Sequence, residues 1–379
     1  MFLDFSSAFD TVDQNILLEK LQTKFCIKGK ALTWFESFLK GRKFCVNIDN
    51  NVSRSVSFTS GVPQGSVLGP DLFSLYSQEI SQIAEKYNFN IHLFADDVQI
   101  YFECNPNNNN FDQLRNCYAD IKNWASQNFL KLNEKKTKFL SISSKRSNYI
   151  IKNLKIMESF SVESKVRNLG VLFDNKLDFN AQINHVCKCG FNLLRNLRRL
   201  SGKLTSTSLK IQIVQACILT HIDYCNSLYI NLPDVQIKKL QRLINSSIRY
   251  IYNIRLSDDY SITQLMQKCH FLPIRARLEF KSNLLVFKCL NGTSPNYLAE
   301  LVHIKTSLNS LRINNDKFLL ELPKLYSNCQ KNRSFSQSAP DIWNALPLHI
   351  RQTDNLNMFK SKLKTYLYSK YFDANEERR

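Results

Sequence analysis

Apolar and polar residues follow two different periods in the first 175 residues of the chain. Apolar residues recur at helical spacing in Gln14–Lys24 and in Lys28–Lys40, which predicts two amphipathic helices. Between Phe44 and Phe58 they alternate with polar residues instead, which predicts a β-hairpin. A second hairpin is predicted over Ile91–Phe102, with apolar arms and its turn at Asp96-Asp97. We therefore expect helices and strands to be mixed in this part of the chain.

A glycine-rich loop, Ser60–Pro70, lies between the two hairpins and leads into a predicted helix that ends near Tyr87. The remaining elements predicted in this part are a helix containing Leu114–Ala125, an asparagine loop before it at Asn107–Asn110, and strands at Lys138–Ser143 and Val166–Phe173. After about Asp178 the pattern becomes mainly helical. The helices predicted there are Ile183–Arg199, Ser206–Thr220, Val235–Tyr252, Arg275–Leu290 and Leu356–Tyr368. These changes of pattern predict three regions, 1–175, 176–260 and 261–379.

The positive charge of the chain lies mostly in its second half. The formal net charge is +19. Residues 1–175 hold 21 Lys and Arg against 18 Asp and Glu, whereas residues 176–379 hold 30 against 14. A basic half beside a nearly neutral half favours a polyanion such as nucleic acid as the partner of the second half. A well-solvated basic surface is the alternative.

Cysteine content and hydropathy favour a soluble protein in a reducing compartment. The chain has 11 cysteines, an odd number, and several lie within apolar runs, where free cysteine behaves as a small hydrophobic residue. Its beginning, Met1–Asp4, does not resemble a signal peptide. No apolar run approaches the roughly 20 residues of a membrane span. We expect an intracellular protein of the nucleus, the cytoplasm or both, which is neither secreted nor bound to a membrane.

Three aspartates are candidates for a metal site. Asp96 and Asp97 stand at the tip of a hairpin whose arms are apolar, and Asp4 ends another short apolar stretch. Adjacent carboxylates held by a buried sheet repel each other unless cations neutralise them. Oxygen ligands without His or Cys select Mg²⁺ or Mn²⁺. A solvated acidic turn is the alternative, and periodicity alone does not place Asp4 beside the pair.

Five segments resemble the motifs of non-LTR (LINE-type, jockey-like) retrotransposon reverse transcriptases, in the order and with the spacing of that family. They correspond to motifs A to E and are Phe2–Asp13, Ser60–Pro70, Phe94–Asp97, Leu132–Lys138 and Asn168–Asp174. The resemblance implies an α+β right-hand polymerase palm (an antiparallel sheet with packed helices) over 1–175. It implies a basic helical thumb over 176–260 and a mainly helical, basic C-terminal region over 261–379.

The implied activity is RNA-directed DNA synthesis by two-metal nucleotidyl transfer, with two Mg²⁺ ions, or Mn²⁺ in their place. An RNA template, a DNA primer and deoxynucleoside triphosphates are the implied partners, and no protein partner is implied. By position in the motifs, Asp4 and Asp96 are the principal metal ligands and Asp97 is the flanking acid. The backbone carbonyl of Phe5 would complete one coordination sphere.

The resemblance also implies residues around the nucleotide. Phe9 matches the aromatic gate that crowds a ribose 2′-hydroxyl, although an ordinary core aromatic is the alternative. Gln64 and Gly65 lie in the loop expected under the incoming nucleotide and the template base, where glycine permits close backbone approach. Lys136 matches the motif D lysine that protonates the pyrophosphate leaving group. Lys135 and Lys138 compete with it, and a solvated lysine cluster remains open.

The basic second half carries the residues expected to hold the phosphates of a template–primer. They are Arg195, Arg198, Arg199, Lys203, Lys210, Lys238, Lys239, Arg242 and Arg249. Leu272–Arg277 and Ser338–Pro347 also resemble the C-terminal part of jockey-like elements, and Trp343 is expected to be buried rather than stacked on a base.

The family carries a fingers domain upstream of motif A, and the chain starts three residues before Asp4. We therefore expect a truncated copy in which Met1 is an internal methionine. Two hypotheses follow, a working polymerase and a non-catalytic nucleic-acid-binding remnant.

Overall fold

The computed structural model describes residues 1–103, 110–142, 162–201, 205–305, 318–323 and 334–372. They divide into two compact units, Met1–Gly170 and Val171–Arg379. The first unit has one hydrophobic core, and the second unit has two. Within the described ranges, no helix has the length and apolar composition that crossing a membrane requires.

Within its described residues, the first unit combines five helices with short strands. Its helices α1 to α5 are Gln14–Thr23, Lys30–Leu39, Gly69–Ser77, Glu79–Lys86 and Asn110–Gln127. Its strands β1 to β6 are Phe2–Leu3, Phe5–Ser6, Lys43–Phe44, Asn47–Ile48, Asn51–Val52 and Val56–Ser57. Strands β7 to β12 are Asn90–Phe94, Asp97–Tyr101, Lys131–Leu132, Phe139–Leu140, Val162–Glu163 and Lys165–Asn168. The prediction of a mixed helix and strand region is confirmed.

A three-stranded antiparallel sheet with the order β1-β8-β7 lies at the centre of this unit. Strand β8 alternates buried and more exposed residues, and Val98 and Ile100 are both only 1% exposed. These two residues belong to a core that helices α1, α3, α4 and α5 complete with their apolar faces. The core thus holds one face of the hairpin and leaves its turn at the edge of the sheet.

A buried lysine joins helices α1, α4 and α5 within this core. The ammonium of Lys20 donates to the Tyr76 carbonyl at 2.9 Å and to the Glu79 carboxylate at 3.0 Å. The Trp124 indole N–H also donates to Glu79, at 2.7 Å. Burial alone would raise the pKa of Glu79, but the hydrogen bonds from Trp124 and Lys20 outweigh it and lower that pKa. Burial also lowers the pKa of the Lys20 ammonium, although the hydrogen bond and the charge of Glu79 act in the opposite direction.

In the segments that the structure describes, the second unit is helical apart from strand β13, Val171–Asp174, and an isolated β-bridge between Ile304 and Leu320. Its α-helices α6 to α15 are Asn180–Ser201, Thr207–Val214, Thr220–Asp223, Asp234–Tyr252, Ile262–Lys268, Ile274–Leu290, Asn296–Ala299, Phe335–Asn344, Leu348–Arg351 and Leu356–Phe372. A π-helix, Gln215–Leu219, joins α7 to α8, and a 3₁₀-helix covers Asn226–Tyr229. Two hydrophobic clusters fill the unit, one centred on α6 and α9 and the other on α11, α13 and α15. Trp343 lies in the second cluster and is 1% exposed, so its expected burial is confirmed.

Three predicted elements differ from the structure. The helix expected from Pro70 to Tyr87 is interrupted at Gln78. The strand expected over Val166–Phe173 is two strands, because Leu169 and Gly170 both adopt positive φ and turn the chain between them. The hairpin between Phe44 and Phe58 forms two very short ladders, and its apolar residues are exposed rather than half-buried. Part of the asparagine loop, Asn107–Asn109, and the end of the Lys138–Ser143 strand lie outside the described residues.

Candidate active site

Strand pairing brings Asp4 beside Asp97. In the β1–β8 ladder Leu3 is the partner of Val98, so the next residues along the two antiparallel strands are Asp4 and Asp97. Strands β7 and β8 meet at the turn that contains Asp96, where Phe94 pairs with Asp97. The predicted hairpin with its turn at Asp96-Asp97 is therefore confirmed. Periodicity did not place Asp4 beside this turn, and the β1–β8 ladder does.

The segment that carries Asp4 is held from its other side by motif D. Phe5 pairs with Leu132 in the β2–β9 ladder, and Asn133 N–H donates to the Asp4 carbonyl at 2.8 Å. Further along, Phe2 and Lys138 exchange backbone hydrogen bonds of 2.8 and 2.9 Å. The Asp4 backbone thus lies between two neighbouring strands, which fixes where its side chain leaves the sheet.

The turn between these contacts brings Lys136 to Asp4. The Lys136 Nζ lies 3.3 Å from the Asp4 Oδ2 atom, and this oxygen is buried without a hydrogen bond of acceptable geometry. The lysine side chain is 66% exposed, so solvent screens the attraction. Of the three lysines considered for motif D, Lys136 is the one that forms an ion pair with Asp4 within the described chain.

The Asp4 and Asp97 carboxylates line a small cavity of about 170 Å³. Asp4, Asp97, Lys136 and Lys138 line it, and Asp96 does not. Burial, and then the negative charges of Asp96 and Asp4, raise the pKa of the Asp97 carboxyl above its ordinary value. The Asp97 carboxyl is therefore close enough to Asp96 and to Asp4 to be affected by both negative charges.

The fit of a divalent cation to these residues rests on their chemistry. A hard cation would bind to the buried Asp4 Oδ2 atom, which accepts no hydrogen bond. It would also relieve the repulsion of Asp97 by Asp96 and Asp4. Within the described ranges, however, no three His, Cys, Asp or Glu side chains are grouped closely enough to hold a metal ion. In this arrangement the Lys136 ammonium is the cation nearest to the buried oxygen of Asp4.

The motif B loop is attached to the turn that follows Asp4. Val62 N–H donates to the Phe9 carbonyl at 2.9 Å, and Gly61 N–H donates to the Val12 carbonyl at 2.7 Å. Gly61 has φ +87°, and a Cβ there would lie 2.7 Å from the Phe9 carbonyl oxygen. Nothing lies within 4 Å of a Cβ built on Gly65, so the close backbone contact within the described chain is at Gly61, and the expected approach of a nucleotide to Gly65 stays a prediction.

The remaining predicted residues lie on the same two segments. The half-buried Phe9 ring stacks on the buried Phe73 at a centroid distance of 4.9 Å, a contact that an ordinary core aromatic also makes. The Phe5 side chain is buried in the core. Gln64 is exposed, and its Nε2 donates to Asp10 Oδ1 at 2.7 Å. Asp10 and Gly61 are thus site residues without an assigned role in the sequence prediction, although both stand inside the quoted motifs.

The basic residues predicted for phosphate contacts differ in how exposed they are. Lys210 is 1% exposed and donates to Asn253 Oδ1 at 2.7 Å, so it does not face solvent. Lys239 donates to Asn180 and Asn184, and Arg198 donates to the Ser246 carbonyl. Lys203 lies outside the described residues. Lys210 is therefore not available to a bound polyanion in this arrangement.

Comparison with known proteins supports the resemblance of the first part of the chain to reverse transcriptases. Residues 1–173 match the family model described as reverse transcriptase (RNA-dependent DNA polymerase). The match covers a little under half of the 379 residues. The jockey-like resemblance of the five motifs is confirmed by the relatives that follow.

The relatives are named as polymerases of mobile elements. The chain is 25% identical over 311 residues to the probable RNA-directed DNA polymerase from transposon X-element of Drosophila melanogaster, covering 78% of this chain and 34% of that protein. It is 26% identical over 260 residues to the RNA-directed DNA polymerase from mobile element jockey of Drosophila funebris, covering 66% and 28% respectively. A third relative, from transposon BS of Drosophila melanogaster, is 24% identical over 55% of this chain and 24% of its own length. The chain thus spans about a third or less of the length of these three relatives.

Proposed function

We propose that this chain carries the catalytic centre of an RNA-directed DNA polymerase that acts by two-metal nucleotidyl transfer. The observation that carries the proposal is the β1–β8 register, which sets Asp4 opposite Asp97 with Asp96 in the adjoining turn. An RNA template, a DNA primer and deoxynucleoside triphosphates would be its substrates. Residues 1–175 would act as the palm, 176–260 as the thumb, and 261–379 as a basic C-terminal region.

Asp4, Asp96 and Asp97 would hold the cations, with the Phe5 carbonyl as a further oxygen ligand. Two bound Mg²⁺ ions supply charge neutralisation for the attacking and leaving oxygens of an in-line phosphoryl transfer. The chain itself supplies rigid placement, because Asp4 is fixed between strand β8 and the motif D turn. The Lys136 ammonium lies beside Asp4 and carries protons that it can donate. It is therefore suited to protonate a leaving pyrophosphate.

Residues of motifs A and B would place the nucleotide. Gln64 and Gly65 would lie under the nucleotide and the template base, and the ring of Phe9 would exclude a ribose 2′-hydroxyl. The backbone hydrogen bond that joins Val62 to Phe9 supports this, because it connects the two motifs directly. The pair would therefore move as one piece when a substrate binds.

The test is primer extension on an RNA template with Mg²⁺, comparing the wild type with Asp4→Asn, Asp96→Asn and Asp97→Asn. Each variant removes one negative charge with little change in shape, and each is expected to lose about 100-fold or more of the incorporation rate. Asp49→Asn is the matched control, since Asp49 stands in an exposed turn at φ +46°, which Asn tolerates. Equal incorporation by wild type and Asp96→Asn would remove the assignment.

A second candidate function is nucleic-acid binding without catalysis. The observation that favours it is the charge of residues 176–379, 30 Lys and Arg against 14 Asp and Glu, in a chain that spans only 34% of the X-element relative. This candidate predicts that the chain retains a primer–template at low salt and that Asp96→Asn binds as tightly as wild type. Failure to retain the primer–template at low salt would eliminate it.

A further inference from the structure

A cavity of about 330 Å³ lies within the second unit, outside the predicted phosphate-contact residues. It is bordered by the chain segment Gln215–Asp223, by the loop His270–Leu272 and by helices α11 and α15. The buried lining is apolar and comes from Leu219, Phe271 and Leu272. The cavity is within the size range of small-molecule sites, which are mostly apolar with a few polar groups.

Two lysines on this cavity are unpaired. Lys281 on α11 and Lys364 on α15 line it, and neither forms an ion pair or a side-chain hydrogen bond with the described part of the chain. The one carboxylate in the lining, Asp223, is occupied by Arg277, which donates to it through Nε at 2.9 Å and through Nη2 at 2.5 Å. The positive charge of the two lysines is therefore not neutralised within the cavity.

Two other lysines of the second unit have partners. Lys370, further along α15, donates to Glu279 at 2.9 Å, and Lys210 donates to Asn253. The cavity is thus a place where uncompensated cations and a buried apolar surface occur together. An anion with an attached apolar group would satisfy both.

The backbone around the cavity is irregular on two sides. Gln215 and Leu219 line it from the π-helix. Such π-helical turns are rare in proteins overall, and those that occur are often at functional sites. On the opposite border His270 has φ +54°, a conformation that costs energy for a residue other than glycine. Both features shape the wall of the same cavity.

We propose that this cavity binds one nucleotide of a single-stranded nucleic acid, with its phosphate at Lys281 and Lys364 and its base against the apolar lining. A base can enter a concave site only when it is unstacked and unpaired, so a duplex would not fit. The excess of positive charge in residues 176–379 would attract the strand from either side of the cavity. The site is independent of the carboxylates of the first unit.

Binding of labelled oligonucleotides to the full chain, measured by fluorescence anisotropy, tests this proposal. Lys281→Ala and Lys364→Ala are compared with Lys288→Ala and Lys360→Ala. The control lysines stand on the same helices, two turns and one turn away, and do not line the cavity. We expect each cavity variant to weaken binding of a single strand several-fold and to lower the salt slope by about one, with the controls within about twofold of wild type. Thermal unfolding of all four variants shows whether each is folded.

A second arm tests the base. A strand of equal length that lacks bases carries the same charge, so we expect wild type to bind it about tenfold more weakly than the normal strand. The double variant Lys281→Ala/Lys364→Ala should lose most of that preference. Equal loss in the cavity and control variants would overturn the proposal. The proposal would also be overturned if the wild-type chain bound the base-containing strand, the strand without bases and a duplex with equal affinity. Because binding is the readout, an inactive polymerase would leave both arms interpretable.

Discussion

The Gln64 carboxamide donates a 2.7 Å hydrogen bond to the Asp10 carboxylate, and this contact ties the side chains of motifs A and B together. An ionised carboxylate only accepts hydrogen bonds, so Nε2 must face Asp10 and the Gln64 carbonyl oxygen must face away from it. Ser60 Oγ also donates to the Asp10 carbonyl, at 3.1 Å, and fixes the backbone beneath the pair. Asp10 thus sets which end of the Gln64 amide is offered to a ligand.

Asp10→Asn is expected to weaken nucleotide binding without unfolding the protein. An asparagine can either accept or donate, so Gln64 could then present either end of its amide. We expect the KM for the deoxynucleotide to rise about tenfold and kcat to change little, with an unchanged Tm because both side chains are exposed. Steady-state primer extension measures this.

Asp13→Asn is the matched control for Asp10→Asn. Asp13 caps helix α1 by accepting from the backbone of Asn15 and Ile16, a role that asparagine performs equally well. A KM that rises equally in both variants would contradict the positioning role of Asp10.

Two glycines of motif B are expected to respond differently to the same substitution. Gly61 and Gly65 both have positive φ, +87° and +77°, so alanine costs roughly 1–2 kcal/mol of backbone strain at either position. At Gly61 the added Cβ would also lie 2.7 Å from a backbone oxygen of Phe9, and backbone cannot swing aside as a side chain can.

We expect Gly61→Ala to lower the free energy of unfolding by about 4 kcal/mol and Gly65→Ala by about 1 kcal/mol. Urea unfolding of each variant measures both values. Equal losses at the two positions would mean that the close contact at Gly61 relaxes without cost.

The sequence predicted the elements that carry the candidate site more accurately than the contacts between those elements. Helical and alternating periods placed the hairpin around Asp96-Asp97 correctly, because burial of one face of β8 produces that alternation. They could not show that Asp4 lies opposite Asp97, since partner choice between strands depends on contacts distant in sequence. For the same reason the pattern could not show that Lys136 forms an ion pair with Asp4, or that Gly61 meets the backbone of Phe9.

Helices α6 and α9 approach closely where Gly190 meets Leu243. A Cβ on Gly190 would lie 2.5 Å from Leu243 Cδ2, and Leu243 is fully buried. Alanine would gain about 1 kcal/mol of helix propensity but would overpack this contact by about 1–3 kcal/mol. We expect Gly190→Ala to destabilise the second unit by about 1 kcal/mol.

The double variant Gly190→Ala/Leu243→Ala tests that cause. Leu243→Ala alone should cost about 2–5 kcal/mol. If overpacking is the reason, the two losses should fall short of additivity by about 1 kcal/mol or more in urea unfolding. Additive losses would show that Leu243 is not what Gly190→Ala disturbs.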